Sequence, residues 1–274
     1  MMAALEETAK QSRDNCVNMS IHERLNDALA AINFAIQLFP IDAEFYLQRS
    51  ITYRKMKKFQ QATDECLLVL DKIGHNEEHE LYSQVHKQFV LIYNECALKC
   101  LQTGYYDDAI ELLNRALIYY KTIAELYINR GDCFFAKGNV SFALQDYEQA
   151  LEIAPHNGDI RLRISDVFFT NAEQHYKEKR YQESSRELTK AIDVNPSIAK
   201  YYVSRSRVKY LTEDIRGAQE DIIAAILINP LEDGCIEVLP RLFADTTLAD
   251  VLGSSLTKNV KEKLLKRHVP LTIS

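Results

Sequence analysis

The 274-residue chain is 47% hydrophobic and 26% charged, with only eight Gly and six Pro, so it has apolar surface for a core but too few turn formers for an all-β fold. A formal charge of -6 gives no global attraction to nucleic acid or to an anionic membrane, and neither is expected as a partner. The six cysteines form no C-x-x-C pair, and several sit in apolar helical runs, a usage that suits a reducing compartment.

At the N-terminus, MMAALEETAKQSRDN turns polar before any apolar stretch long enough for a signal peptide. No later window approaches a membrane span, so a soluble, cytoplasmic protein is expected. Further along, residues recur at a fixed spacing. An aromatic returns as Tyr46, Tyr93, Tyr127, Phe168 and Tyr202, and a small residue as Ala28, Ala62, Ala109, Ala143, Ser184 and Ala218. A third rung runs Ala35, Val69, Ala116, Ala150, Ala191 and Ala225, and Pro40, Pro155, Pro196 and Pro230 close four of the units. The spacing predicts paired helices. A bulky aromatic on the first helix meets a small residue on the second, Gly104 or Gly138 permits the turn between them, and proline stops the second helix.

Six units fit, near residues 9–42, 43–76, 77–123, 124–157, 158–198 and 199–232. Two intervals exceed 34 residues. Ala43 to Val90 carries 13 extra, NEEHELYSQVHKQ, with Asn76 as N-cap and Glu77, Glu78 and Glu80 in the first turn. A helix from there to Gln102 would be roughly 40 Å long. Ala124 to Ser165 carries seven extra, GDIRLRI, with Asp159 as N-cap. Both lengthen a first helix. Beyond Pro230 the ladder ends, and residues 233–274 read as short capping helices with Asp245 and Ser254 or Ser255 as N-caps.

These residues resemble the tetratricopeptide repeat, a 34-residue helix-turn-helix unit with a bulky aromatic, a Leu-Gly pair, small alanines and a terminal Pro. The unit from Ala124 fits closely, whereas the first has Ser12 where the aromatic belongs and Cys16 where Gly would sit. LYINRGDCFFAKGNVSFA, YNECALKCLQTGYYDDAIELLNRAL and PRLFADTTLADVL are similar to the C-terminal repeats of a longer member. The resemblance implies an all-α, right-handed superhelical solenoid of about six repeats with a C-terminal helical cap. It further implies a non-enzymatic scaffold or adaptor that holds an extended segment or helix of another protein, in a large cytoskeletal assembly such as the axoneme of a cilium or flagellum. The alternative is a soluble co-chaperone or trafficking adaptor.

In this family the first helices line a concave groove. The resemblance assigns that groove to Leu47, Ile51, Arg54, Lys55, Asn94, Leu98, Leu101, Ile128, Asp132, Phe135, Phe169, Glu173, Tyr176, Lys177, Lys200, Val203, Arg207 and Tyr210. Carboxylate-clamp members need cations on the repeats flanking a central Asn. Here Asn129 fits the centre, but Asn94 and Leu98 precede it and Asp166 and Thr170 follow, so no tight binding of an EEVD-type peptide is expected.

His75 to His79 spells the inverted zinc-protease pattern H-x-x-E-H, but at a solvated helix start without a cleft, so it is read as structural. Cys96 and Cys100 are read as core rungs. Phosphate-loop, nucleophile-elbow and dinucleotide motifs do not occur. No catalytic residue, metal or cofactor is therefore expected. Two basic clusters, Arg54, Lys55, Lys57 and Lys58, and Lys258, Lys261, Lys263, Lys266 and Arg267, read as solvated helix ends, with an acidic protein surface as the minority alternative.

Overall fold

The computed structural model describes residues 2–244 and 246–273, without the side chain of Ile236, and among these it places fifteen α-helices and no strand. They fall into two compact units, residues 1–139 and 140–274. In the first unit α1 (Met2–Ile21) pairs with α2 (Leu25–Leu38), α3 (Ala43–Lys55) with α4 (Phe59–Lys72) and α5 (Glu80–Gln102) with α6 (Tyr106–Tyr119), on which α7 (Ala124–Ala136) packs. In the second unit α8 (Val140–Ile153) packs on α9 (Gly158–Lys177), which pairs with α10 (Tyr181–Val194). There α11 (Ala199–Leu211) pairs with α12 (Ile215–Ile228), and α13 (Cys235–Leu242), α14 (Leu248–Gly253) and α15 (Ser255–Lys266) follow.

One turn recurs after every first helix. Behind Gly104 at φ +82° the Tyr105 N–H reaches back to the Cys100 carbonyl at 2.9 Å, and behind Gly138 at φ +77° Asn139 reaches Phe134 at 2.8 Å. This 6→1 bond satisfies a carbonyl that the helix end would otherwise orphan. Glycine is not required for it. Glu23, Lys57, Lys179 and Glu213 adopt the same left-handed conformation, at φ between 58° and 62°, and the residue after each makes the same bond at 2.9 Å. Those four turns bear a steric cost that the glycine turns avoid.

Within a hairpin the close approach is sealed by small residues, beside core clusters that hold Tyr46 with Ala62 and Tyr202 with Ala218. The Ser50 hydroxyl donates to the Ala62 carbonyl at 2.8 Å and Ser206 to Ala218 at 2.8 Å, while Ser184 of α10 donates back to Ala172 of α9 at 2.9 Å. The aromatic rung also anchors the prolyl turn. Tyr46 Oη donates to the Pro40 carbonyl at 2.9 Å and Tyr202 Oη to that of Pro196 at 3.1 Å. The divergent first hairpin uses the same chemistry, with buried Ser12 donating to Ala31 at 2.9 Å.

Both lengthened helices form, with different caps from those expected. α5 begins at Glu80, where His79 Nδ1 accepts the Leu81 N–H at 3.1 Å. Asn76 accepts from Glu78 at 3.0 Å in a preceding turn, which leaves Glu77 and Glu78 outside the helix. Its 23 residues span about 35 Å, shorter than the sequence suggested. For α9 the cap is Asn157, whose Oδ1 accepts from Asp159 and Ile160, so Asp159 lies in the first turn.

In the C-terminal segment Thr247 and Asp250 form a capping box on α14, and Ser254 caps α15 by accepting from Thr257 at 3.2 Å. The expected cap at Asp245 lies outside the described residues. Val238 and Leu242 of α13 and Val260 and Leu264 of α15 join one core with Ile222, Ile226 and Leu227 of α12. The chain after α15 ties down as well, with the Thr272 N–H donating to Leu227 O at 2.8 Å and its hydroxyl to Ile228 O at 2.6 Å. Every residue of α12 from Asp221 to Ile228 is buried.

Candidate functional site

The candidate residues lie on the first helices α3, α5, α7, α9 and α11. Not all eighteen are available. Leu47, Ile128 and Val203 are buried and offer nothing to a partner, because their rungs point into the packing. Ile51, Arg54, Asn94, Leu98, Leu101, Asp132, Phe135, Phe169 and Glu173 are half-buried, and Lys55, Tyr176, Lys177, Lys200, Arg207 and Tyr210 are exposed.

In the first unit the expected basic end of α3 is tied into its neighbours. Arg54 pairs with Glu95 of α5 and donates to Gln88 at 3.1 Å, Lys57 bridges to Glu95 at 2.7 Å, and Lys55 donates to the Ser20 carbonyl at 3.1 Å. Open pockets of about 540 Å³ and 430 Å³ flank this bridge, the former lined by Ser20, Ile21 and Lys55, the latter by Phe59, Leu98 and Gln102. Asn129 donates to Asn94 Oδ1 at 2.8 Å, so the residue in the clamp's central slot is engaged by its neighbour.

In the second unit Lys200 places its ammonium 3.8 Å from the centre of the Phe169 ring, so two candidate residues cover each other. Asp166, the acid in the clamp's third slot, accepts from Tyr201 Oη at 2.9 Å, and Ser165 lies 3.0 Å from the same oxygen. Burial first, then that carboxylate, pushes the Tyr201 phenol well above its ordinary pKa. A third pocket, of about 270 Å³, lies between Tyr176, Arg207, Tyr210 and α13. The basic C-terminal cluster is partly consumed in fastening α15, through Lys263 to Glu220 at 2.7 Å and Arg267 to Asp193 at 3.0 Å.

The histidine motif does not assemble. His75 has φ +53° in the turn after α4 and turns Nε2 to Asp71 at 3.0 Å, whereas His79 caps α5. The two imidazoles are not a helical pair. No group of three His, Cys, Asp or Glu side chains close enough to hold a metal occurs among the described residues. Cys96 and Cys100 are half-buried and not full core rungs, while Cys16, Cys66, Cys133 and Cys235 are buried. Burial pushes the Cys66, Cys133 and Cys235 thiols to about 11. No described helix is long and apolar enough to cross a membrane.

Sequence reasoning missed one structural device. Arg49 of α3 pairs with Glu65 of α4 at 2.8 Å, and Arg205 of α11 with Asp221 of α12 at 2.7 Å, each sixteen residues apart in sequence. The signal was legible as an Arg on the first helix and an acid on the second at that constant separation.

Residues 124–157, which hold α7 and α8, match the family model of the tetratricopeptide repeat. These residues form a tetratricopeptide repeat. Tetratricopeptide repeat protein 16 of Macaca fascicularis is 33% identical over 248 residues, covering 90% of this chain and 28% of that relative, so the chain spans little more than a quarter of its length. DnaJ homolog subfamily C member 3 of Gallus gallus is 25% identical over 74% of this chain and 40% of its own. Mitochondrial import receptor subunit TOM70 of Mus musculus is 24% identical over 63% of the chain and 26% of its own length. Its described residues have the all-helical architecture of tetratricopeptide repeat proteins.

Proposed function

We propose that the chain is a non-enzymatic scaffold whose first-helix faces hold segments of partner proteins within a larger assembly. The observation that supports this is the chemistry of those faces: half-buried Leu98, Leu101, Phe135 and Phe169 lie among charged groups of both signs. Such a surface offers apolar anchors with polar steering to an extended segment or a helix. The family resemblance suggests a setting such as the ciliary axoneme. The likeness to proteins named as a DnaJ homolog and an import receptor subunit supports the second reading, a co-chaperone or trafficking adaptor. Cross-linking mass spectrometry after affinity capture from native tissue tests the proposal. Stable partners joined through α3, α5, α9 and α11 are expected; cross-links confined to second helices would remove the groove assignment.

A further inference from the structure

The 34-residue spacing does not stop at α12. Tyr176 of α9 recurs as Tyr210 of α11, and Arg207 of α11 recurs as Arg241 of α13. The structure brings these four together: with Leu211, Val238 and Glu237 they line the pocket of about 270 Å³. α13 therefore occupies the place of a further first helix. Its start fits tightly against α11, since a Cβ on Gly234 would lie 2.1 Å from Arg207 Nη2 and 3.2 Å from Val203 Cγ1, and Gly234 itself sits at φ +86°.

From this register and the lining chemistry, we infer that α13 forms one wall of a binding pocket whose ligand is a partner segment carrying a carboxylate beside an aliphatic or aromatic side chain. The inference rests on the scaffold reading above and names the partner chemistry of one of its faces. Tyr176, Tyr210 and Leu211 are 36%, 40% and 45% exposed, which leaves apolar surface open to a side chain inserted between them. Among the described residues of its lining, Arg207 and Arg241 stand against the single carboxylate Glu237. Arg207 is only partly neutralised, by a 3.3 Å contact to Glu237, and Arg241 is exposed with no ion-pair partner among the described residues. Lys177 follows Tyr176 and is exposed too. The excess cation and the fork geometry of guanidinium favour a carboxylate over an ammonium on the incoming segment. This is distinct from the carboxylate clamp, whose slots hold Asn94, Asn129 and Asp166.

A random-peptide display selection against the full chain, followed by anisotropy measurements with fluorescent peptides of alternating Asp and Leu, Asn and Leu, or Lys and Leu, tests the inference. Enriched peptides should be acidic and apolar, and the Asp peptide should bind tightest. Arg241→Glu should weaken it by about tenfold, as expected for reversing a partly screened charge. Glu237→Gln should strengthen it a few-fold by freeing Arg207; at 73% side-chain exposure the replacement leaves the fold intact. Equal affinity for the three peptides, or indifference to both substitutions, overturns the pocket. Enriched peptides that respond to Lys57→Glu and not to Arg241→Glu would overturn it while leaving the scaffold reading standing, whereas a selection that enriches nothing counts against both.

Discussion

α10 and α12 are second helices of the same unit and the same 14-residue length, yet α10 buries four side chains and α12 nine. α10 keeps Gln182, Glu183, Arg186, Thr189 and Lys190 in solvent, while α12 runs Ile222 to Ile228 without a polar residue. The difference is the number of neighbours. α10 meets the first helices α9 and α11, whereas α12 meets α11 and α13 in the same way and α15 in addition. A single apolar stripe marks a helix covered once, and apolarity all round marks one covered twice.

If α12 is apolar because it is covered twice, removing the cover should destabilise it most. Leu264→Asp places an unpaired charge in a core shared with Ile222 and Ile226, and should cost about 4 kcal/mol or more. Chemical denaturation should show this loss. A loss below about 1 kcal/mol would mean that α15 is only draped over α12.

The acids at matching positions sharpen the contrast. Asp221 on α12 is 5% exposed and accepts from Arg205 at 2.7 and 2.8 Å, with Lys209 at 3.0 Å. Burial opposes the Arg205 charge, but the hydrogen bonds and charge of Asp221 outweigh it and hold its pKa above the usual value. Asp221→Ala strands two cations and should cost about 3 kcal/mol. Glu187 on α10, paired at 2.6 Å with a Lys190 that is 55% exposed, should lose less than about 1 kcal/mol as Glu187→Ala. Equal losses at the two sites would break the comparison.

The turns preceding these helices act as a control. Lys179 before α10 and Glu213 before α12 sit at φ 59° and 62°, so glycine relieves the same backbone cost at both. Lys179→Gly and Glu213→Gly should each stabilise by roughly 0.5 to 1 kcal/mol, after allowing for glycine's larger unfolded-state entropy. Unequal gains would show that the cover on α12 reaches into its turn.

The repeat ladder, the five hairpins within the units and both lengthened first helices were legible because one periodic pattern encodes them: small residues where helices cross and prolines where they end. Caps were less legible. Asn76, His79, Asn157 and Asp159 all have capping chemistry, and which one caps depends on a backbone path that composition does not set. At the candidate faces, rung position identified the right helices but not exposure. Leu47 and Val203 occupy the same first-helix rung as Phe169, and only packing separates the buried pair from the half-buried ring. The continuation of the ladder into α13 is not legible from the core rungs, because the recurring Arg207 and Arg241 are exposed.

α6 is the intermediate case, a second helix covered in part by the extra turns of α5. Its Tyr119 stays 43% exposed while His86 lies 4.7 Å from its ring centre and Phe89 6.3 Å, with Tyr82 4.3 Å from His86 on the other side. Both His86 nitrogens are out of solvent without a hydrogen-bond partner. Burial among these rings lowers its pKa, and Glu77 opposes that shift more weakly. The folded state therefore prefers the neutral imidazole, while the unfolded chain takes up a proton near the ordinary value of about 6.5. Stability is fully present above that value and falls as the pH drops below it, until the lowered folded-state pKa is reached. His86→Phe keeps a ring against Tyr119 and removes the proton. Its melting temperature should match that of the parent chain near neutral pH and exceed it by a margin that widens toward about pH 5, the smallest effect predicted because the site is only half-buried. Parallel melting curves across that range would show that the extension covers α6 without its imidazole sensing acid.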